Sequence, residues 1–374
     1  MNLVFEPRDP LVFRDGRPLG DGGDMKSVTF PWPSSIAGCL RTRLGTSAGS
    51  GFERDLIQRL LEVEVRGPLL VDLETKQLLV RAPADALWNE PEKRKDDELE
   101  LRRLKPSSWP AGAKRGTAVG ADDDLQLLGA SGEAGGELPK GKAASGTPAF
   151  WHWSKFVDWL TKPPETMQPI KQPCEYGPSP LTRDLRTHVA IDPEKQSALD
   201  GALFRTEAVV FSSGQTRYGL SVQCDVPGGL AAQAKELAGY VTLGGEQRLT
   251  KLSTEGTAWP EVPKLRPSEG QLLRVVLLTP ALFRQGWRPG DFALDGAELV
   301  AARVDRPEVI SGWDYAKAGP KPVRRAAPAG SVYWVRLNAG INAESWIKSR
   351  WLQSISDDDQ DRRDGFGLCA VGVG

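Results

Sequence analysis

Histidine is the side chain best suited to acid–base chemistry near neutral pH, and this chain of 374 residues contains two, His152 and His188. Neither lies in a Gly-x-Ser-x-Gly nucleophile elbow, a His-Glu-x-x-His zinc motif or a paired metal-ligand motif. His188 follows Arg186 in the segment Arg-Thr-His-Val-Ala-Ile-Asp. Two interpretations of His188 stay open, a general base for RNA cleavage and a hydrogen-bonding residue beside Arg186, and the lack of a motif favours the second.

The cysteines give no indication of thiol or metal chemistry. The four cysteines, Cys39, Cys174, Cys224 and Cys369, are far apart in the sequence, without a Cys-x-x-Cys pair or a neighbouring histidine. This spacing indicates neither a zinc site nor a disulfide framework, and it predicts buried free thiols. We therefore expect no metal and no cofactor.

Two glycine-rich elements have the backbone freedom to approach a phosphate closely. The C-terminal one contains Gly365 and Gly367 after a pair of arginines, but Leu368 stands where an RNA-recognition strand needs an aromatic residue. Contact with an RNA backbone and a final strand packed tightly on a helix are both compatible with it. The second element, Thr242–Arg248, lacks the spacing and the Lys-Ser/Thr pair of a P-loop. We predict a turn there whose two glycines have positive φ and which presents Arg248.

Charge is balanced overall but uneven along the chain. The 48 basic and 49 acidic residues give a net charge of −1, which excludes a uniformly basic surface as the means of binding nucleic acid. Residues 301–350 nevertheless hold nine basic and four acidic side chains, whereas residues 351–374 hold two basic and five acidic ones. The sequence therefore predicts a local basic patch that would hold a few nucleotides. Its basic side chains concentrate in Lys317, Lys321, Arg324 and Arg325.

The spacing of apolar residues and turn formers predicts an α+β protein, and the 40 glycines and 29 prolines indicate many turns. We predict strands at Leu3–Phe5, Leu61–Val65, Gln77–Val80 and Leu272–Leu278 and a helix that begins at Ser34 or Ser35. We also predict a hairpin or adjacent strand pair of Ala202–Phe211 with Tyr218–Cys224, and a capped helix over Pro227–Leu237. The tryptophans between Trp151 and Trp159 have helical spacing, which is typical of a core-facing helix, with a base-stacking box as the alternative.

Length and composition divide the chain into two predicted domains, residues 1–165 and residues 180–374, each large enough for a core of its own. Residues from about 105 to 149 are rich in glycine and poor in large apolar side chains, so we predict a flexible insertion in the first domain.

No window of the sequence approaches the roughly 18 apolar residues of a membrane-spanning helix. Acidic residues stand near the N-terminus, where a signal peptide would be basic and apolar. We expect a soluble, cytoplasmic protein without membrane contact.

Seven short motifs occur in one order along the chain. They are Phe13–Pro18, Phe30–Gly38 followed by Arg41, Arg186–Asp192 followed by Gly201–Phe204, Leu243–Glu246 with Arg248, Ser311–Asp314, Pro320–Pro322 with Arg324 and Arg325, and the glycine-rich end. In this order, and over nearly the whole length apart from the glycine-rich insertion, the chain resembles subunit three of the Cmr complex, the type III-B CRISPR effector, within the RAMP superfamily. Each motif is loose, but seven in sequence are specific.

The resemblance implies two ferredoxin-like, RNA-recognition-type domains and a non-catalytic subunit that caps one end of the complex. Members of this family hold the 5′ repeat-derived tag of the guide RNA, and their partners are the large polymerase-like subunit and a neighbouring RAMP backbone subunit. The predicted RNA-binding residues are Arg14, Arg17, Ser34, Ser35, Arg41, Arg186, His188, Arg248, Lys321, Arg324, Arg325, Gly365 and Gly367. The glycine-rich end departs from the RAMP pattern, because no basic residue stands among its last glycines. Either the arginines before it supply the charge, or the loop is mainly structural.

Two other functions remain as alternatives. A RAMP endoribonuclease that processes precursor guide RNA would need a proton acceptor for the 2′-hydroxyl, and His188 or His152 with a lysine or tyrosine would provide it. A pure protein scaffold would instead use the basic patch to meet an acidic face of a neighbour. We take the guide-RNA-binding subunit as the primary prediction.

Overall fold

The computed structural model describes residues 1–14, 27–47, 52–91, 98–108, 125–130, 142–265, 267–268, 270–314 and 319–374. Arg17, Lys317 and most of the predicted insertion lie outside the described residues. Within the described ranges, no helix combines the length and the apolar character needed to span a membrane.

Short strands dominate the described chain, as its glycine and proline content predicts. The strands in the first part of the chain are β1 (Asn2–Pro7), β2 (Glu64–Asp72), β3 (Leu78–Arg81), β4 (Ala86–Asn89), β5 (Leu99–Ser107), β6 (Leu127–Ala130), β7 (Phe150–His152), β8 (Gln168–Ile170), β9 (Arg183–Ile191), β10 (Ala198–Val209) and β11 (Ser212–Ser213). Those in the second part are β12 (Thr216–Asp225), β13 (Gly239–Thr242), β14 (Leu249–Ser253), β15 (Leu273–Leu277), β16 (Ala297–Arg303), β17 (Glu308–Ile310), β18 (Trp313–Asp314), β19 (Gly319–Pro320), β20 (Arg324–Ala326), β21 (Val332–Leu337) and β22 (Cys369–Val373). The α-helices are α1 (Pro33–Ser47), α2 (Arg54–Leu61), α3 (Trp153–Thr161), α4 (Ala231–Ala234), α5 (Asp291–Leu294), α6 (Ala343–Arg350) and α7 (Asp359–Arg363), and 3-10 helices span Pro173–Tyr176 and Gly228–Leu230.

The largest sheet joins strands from distant parts of the chain. Its order is β13-β14-β1-β12-β2-β3-β7, neighbours are antiparallel, and β11 pairs with β12. Within it, β1, β2, β12 and β14 stand in the order fourth-first-third-second, with α1 and α2 between the first two strands and α4 between the last two. The sheet therefore includes strands from both sides of the predicted boundary between residues 165 and 180.

Both faces of this sheet are covered at its centre, which explains why β2 is buried from Gly67 to Val71 and β12 from Tyr218 to Val222. On one face, Leu3 and Phe5 of β1 pack with Ile36 and Leu40 of α1. On the other face, Val4 belongs to a second cluster that includes residues of α3 and of the other large sheet. Because successive side chains of β1 point to opposite faces of the sheet, this one strand packs against both hydrophobic clusters.

A second large sheet has the order β16-β21-β15-β22 and is antiparallel throughout. Numbered along the chain, its strands have the same fourth-first-third-second order, with α5 in the first connection and α6 and α7 in the last. β15 is buried over its whole length, which confirms the buried strand predicted at Leu272–Leu278.

A tryptophan-rich cluster accompanies a smaller sheet, in which β5 pairs with β4, β6 and β8. Trp88, Trp151 and Trp159 pack there edge to face, with the ring centroids of Trp151 and Trp159 5.3 Å apart. The predicted helix begins only at Trp153, because Trp151 belongs to β7. Trp151 and Trp159 are buried, so these rings are part of a core and are not available to bases.

The hairpin or adjacent strand pair predicted from Ala202–Phe211 and Tyr218–Cys224 is wrong in its pairing. β10 pairs with β9, whereas β12 lies between β1 and β2 and also meets the two-residue β11. β12 is buried over Tyr218–Val222, which suits a strand at the centre of a sheet. β10 is buried only at Thr206–Val209, so the rest of the β9–β10 hairpin extends from the core.

Candidate nucleic-acid interface

Two of the predicted RNA-binding arginines, Arg41 and Arg324, are engaged inside the chain. Arg41 of α1 donates to Asp364 at 2.5 Å and to the Val63 carbonyl at 2.9 Å. Arg324 of β20 donates through both terminal nitrogens to Asp361, at 2.7 Å each, and this hydrogen bonding raises the pKa of Arg324. Both aspartates are buried. The two arginines therefore link α1 and β20 to the segment around α7 through charge-assisted hydrogen bonds. Because their charges are paired with aspartates, they add little free positive charge to the surface.

The glycine-rich end approaches other parts of the backbone closely. Gly365 has a φ of +95°, and a Cβ there would lie 2.7 Å from the carbonyl oxygen of Gly67. Gly367 has a φ of +82°, and a Cβ there would lie 2.7 Å from the Ser356 nitrogen. The amides of both glycines donate to backbone carbonyls of the chain, at 3.0 Å and 2.7 Å. Neither amide is free for a phosphate, so the structure favours the tightly packed interpretation over the predicted RNA contact at these glycines.

The first turn of α1 holds two more predicted residues, Ser34 and Ser35. The helix begins at Pro33, where proline is suited because its missing N–H would have no intrahelical partner. Ser35 N donates to the Trp32 carbonyl at 3.0 Å, and a Cβ on Gly365 would lie 3.4 Å from the Pro33 Cβ. This end of α1 is thus packed against the glycine-rich segment, with both serines half-buried.

Arg14 and Arg248 lie on separate loops. Arg248 donates to Glu246 at 2.5 Å, so its charge is neutralised locally. In its turn Gly244 has positive φ as predicted, but Glu246 and Gln247 share that conformation instead of the second glycine. Arg14 is exposed.

The β9–β10 hairpin carries Arg186 and His188 on one face, together with Phe204 on the opposite strand. The His188 and Phe204 rings stack at a centroid distance of 5.1 Å and an interplanar angle of 15°. His188 Nε2 forms a 2.8 Å hydrogen bond with the Thr206 hydroxyl, and Arg186 forms a 2.8 Å ion pair with Asp184. The ring pair is therefore held in one orientation, while Phe204 stays exposed.

The other face of the hairpin carries exposed apolar side chains beside polar ones such as Thr187 and Arg205. Leu185 is 70% exposed and Leu203 is 60% exposed, and Val189 lies opposite Leu203. A folded chain usually covers such side chains or presents them to a partner. The predicted site does not include this face, although the signal is in the sequence, where Leu185, Val189 and Ile191 alternate with largely polar residues.

Two predicted residues near β20, Lys321 and Arg325, keep exposed side chains. The Arg325 side chain forms no hydrogen bond or ion pair within the part of the chain that the structure describes. It lines an open cavity of about 410 Å³ together with Trp287 and Val304. Among the described residues of the predicted basic patch, Lys321 and Arg325 remain free to meet an anion, whereas Arg324 does not.

The two histidines have different surroundings. Among the described residues, His188 has its hydrogen bond to Thr206 and its ring contact to Phe204, and no lysine or tyrosine contacts its ring. His152 ends β7, and burial lowers its pKa. Among the described residues, no lysine or tyrosine contacts His188, whereas the positive charge of the nearby Lys155 acts on His152 and lowers its pKa further.

The cysteines are free thiols with unequal exposure. Burial raises the pKa values of Cys39, Cys224 and Cys369 to about 12. Cys174 is exposed, contrary to the prediction of buried thiols. In the described ranges, no group of three or more His, Cys, Asp or Glu side chains is placed to hold a metal ion.

Comparison with known structures found distant similarity to chains of type III CRISPR complexes. A chain of the type III-B Cmr-beta complex bound to cognate target RNA is 17% identical, with 99% of this chain and 96% of that chain covered and a TM-score of 0.48. A chain of the type III-B Cmr-beta complex bound to cognate target RNA and AMPPnP is 17% identical, with 89% and 86% covered and a TM-score of 0.47. A chain of the Csm3-Csm4 subcomplex of the type III-A interference complex is 10% identical, with 89% and 92% covered and a TM-score of 0.37.

Family membership rests on the sequence itself. A comparison with curated proteins found no match. A family model described as CRISPR-associated protein (Cas_Cmr3) matches residues 3–374, from β1 to the end of β22, and so covers both halves of the chain. This chain therefore belongs to the Cas_Cmr3 family of CRISPR-associated proteins, the Cmr subunit family that the order of its motifs predicts.

Proposed function

We propose that this chain is a non-catalytic, RNA-binding subunit of a type III-B Cmr effector complex, which holds the 5′ repeat-derived tag of the guide RNA and docks the large polymerase-like subunit. Family membership supports a role in RNA-associated CRISPR defence. The observation that carries the RNA-binding part is the β9–β10 hairpin, which presents the stacked His188–Phe204 pair on one face and exposed leucines on the other. The docking part rests on the family, which also suggests a neighbouring RAMP backbone subunit as a partner.

We also propose that the two halves of the chain are ferredoxin-like, RNA-recognition-type domains. The support is the fourth-first-third-second strand order that both large sheets share, with helices in the first and last connections. On this assignment the first domain combines residues 2–72 with residues 216–253, and the second begins at β15. The segment between β2 and β12, which includes the β9–β10 hairpin, is then a large insertion into the first domain.

The hairpin suits single-stranded RNA for a physical reason. Unpaired bases expose flat faces that stack on aromatic side chains and pack on apolar ones. Phe204 is exposed, and its ring is already oriented by His188, which is itself fixed by Thr206. An aromatic group that is ordered before binding loses less conformational entropy when a base arrives. The hairpin therefore offers contacts that depend on bases rather than on phosphate charge alone.

Replacing Phe204 with serine should weaken binding of tag-containing RNA by about tenfold, because one base–aromatic stack contributes roughly 1–3 kcal/mol. The measurement is the dissociation constant of the full-length chain, assembled with its partner subunits, for RNA that begins with the tag. Tyr240→Ser serves as the control, since Tyr240 is exposed on β13 and outside the hairpin. Equal affinities of the wild-type and Phe204→Ser proteins would contradict the proposed role of the hairpin.

Arg325 and Arg324 should respond differently to the same substitution. Arg325→Gln should reduce the slope of log affinity against log salt concentration by about 0.7, the value for one phosphate contact on a single strand. Arg324→Gln should leave the slope unchanged and lower stability, because Arg324 neutralises the buried Asp361. Both proteins are titrated with one RNA over a salt series, with unfolding measured in parallel. A change of slope with Arg324→Gln alone would contradict this assignment.

The proposal that the chain is not itself an enzyme is supported by the surroundings of His188, whose ring hydrogen-bonds to Thr206 and stacks on Phe204. Incubation of the purified protein with repeat RNA, with and without EDTA, tests it directly. We expect the RNA to remain intact. Cleavage that is lost in a His188→Ala variant would establish the endoribonuclease alternative, and absence of any crosslink to RNA inside the complex would favour a scaffold.

A further inference from the structure

An open cavity of about 410 Å³ lies in the second half of the chain, away from the β9–β10 hairpin in sequence. Three segments line it: the turn before α5 at Gly286 and Trp287, the end of β16 with the loop that follows, and β20 at Arg325. Its lining is mostly apolar. The volume is in the range of sites for small organic ligands, roughly 300–1,000 Å³.

Trp287 is fixed by its surroundings. The residue packs against the core cluster of the second large sheet, and its carbonyl accepts a 2.8 Å hydrogen bond from the Tyr333 hydroxyl. The turn before it is tight, because Gly286 has a φ of +76° and donates its amide to the Phe283 carbonyl at 3.1 Å. Trp287 therefore gives the cavity an ordered aromatic wall.

Two charged side chains line the cavity, and only one is engaged. Asp305 pairs with Arg303 at 2.9 Å. Arg325 is exposed and has no partner within the described residues. The cavity thus combines an apolar aromatic wall with a free guanidinium.

We propose that this cavity receives one unpaired nucleotide of the guide RNA, whose base packs against Trp287 and whose phosphate is bound by Arg325. The inference rests on the proposed function and adds a second base contact, separate from the hairpin. A nucleotide joins a flat ring, which can stack on an aromatic wall, to a phosphate, which can bind a guanidinium. An acidic peptide would satisfy Arg325 but not the apolar wall, and an apolar protein side chain would cover the guanidinium without pairing it.

Guide RNAs that each lack one base test the inference. A set of tag-containing RNAs, each with a single abasic nucleotide, is bound to the assembled complex that contains either wild-type protein or Trp287→Ala. With wild-type protein, we expect one abasic position near the tag to weaken binding by about tenfold. With Trp287→Ala, the intact RNA should lose a similar factor and the same abasic position should have no further effect.

Further variants separate the base contact from folding. Trp287→Phe keeps an aromatic wall and should restore most of the sensitivity to that abasic position. Arg325→Gln should weaken the intact and the abasic RNA by equal factors, because it removes a phosphate contact. Arg336→Gln is the matched control, since Arg336 is exposed on β21 and does not line the cavity.

The outcomes distinguish this inference from the proposed function. If the wild-type complex binds the tag but Trp287→Ala leaves every abasic penalty unchanged, the cavity assignment is wrong and the tag-binding proposal stands. If Trp287→Ala weakens association with a protein subunit while RNA affinity is unchanged, a protein side chain occupies the cavity, which also overturns the inference. If the wild-type complex does not distinguish tag-containing RNA from other RNA, the proposed function itself fails.

Discussion

Replacing Asp85 with alanine should lower the free energy of unfolding by about 3–5 kcal/mol, because it leaves a fully buried arginine without its counter-ion. Asp85 and Arg274 are both completely buried and form an ion pair. The other Asp85 oxygen accepts a 2.9 Å hydrogen bond from the Trp159 indole. Arg274 also donates to the carbonyl oxygens of Trp159 at 2.5 Å and of Val373 at 2.7 Å. The network thus joins the loop after β3, α3, β15 and β22.

Denaturant-induced unfolding of the full chain measures this effect, and Asp295→Ala is the control. Asp295 is 86% exposed and pairs with Arg350 at 3.9 Å, so its loss should change stability little. The double variant Asp85→Ala/Arg274→Met should be more stable than Asp85→Ala alone, because it removes the uncompensated charge as well. Equal stability losses for Asp85→Ala and Asp295→Ala would contradict the role of the buried network.

Replacing Gly365 with alanine should lower the free energy of unfolding by at least about 2 kcal/mol. Two causes add together. The φ of +95° is unfavourable for any residue with a Cβ, and that Cβ would lie 2.7 Å from the Gly67 carbonyl oxygen and 2.9 Å from that of Val65. The loss should appear in unfolding, whereas the RNA affinity of the protein that remains folded should be unchanged.

Gly340→Ala separates the two causes. Gly340 has a φ of +83°, but nothing lies within 4 Å of the position its Cβ would take. It should therefore show the conformational part of the loss alone and be clearly less destabilised than Gly365→Ala. A Gly365→Ala protein that is as stable as wild type but binds RNA weakly would instead support the direct RNA contact predicted from the sequence.

Local elements of the fold could be predicted from the sequence, but their partners could not. The strand at Leu3–Phe5, the helix after Trp32 and the strand at Leu272–Leu278 follow from apolar periodicity and from proline, and the structure contains them. The predicted pairing of β10 is wrong because periodicity reports which residues are buried and not which strand is the neighbour. β1 pairs with β12, more than two hundred residues later, and no local signal indicates that contact.

At the candidate site, the sequence likewise does not reveal which charged side chains pair with each other. Arg41 and Asp364 are 323 residues apart in sequence, so their ion pair is invisible until the chain is folded. Composition could therefore predict a basic patch but not which arginines remain free. Arg186 and His188 were selected by their motif, while Phe204, which completes their face, became apparent only from the strand register.

The position of β12 has a consequence for the order of events during synthesis. β1 and β2 leave the ribosome early, but the strand between them begins only at Thr216, and the other neighbour of β1 ends at Ser253. Until then, β1 lacks both of its hydrogen-bonding partners, and its apolar side chains have only part of their cover. The first sheet is thus completed after most of the chain has been translated, so a stalled or truncated nascent chain would present open, apolar strand edges to other nascent chains and to chaperones.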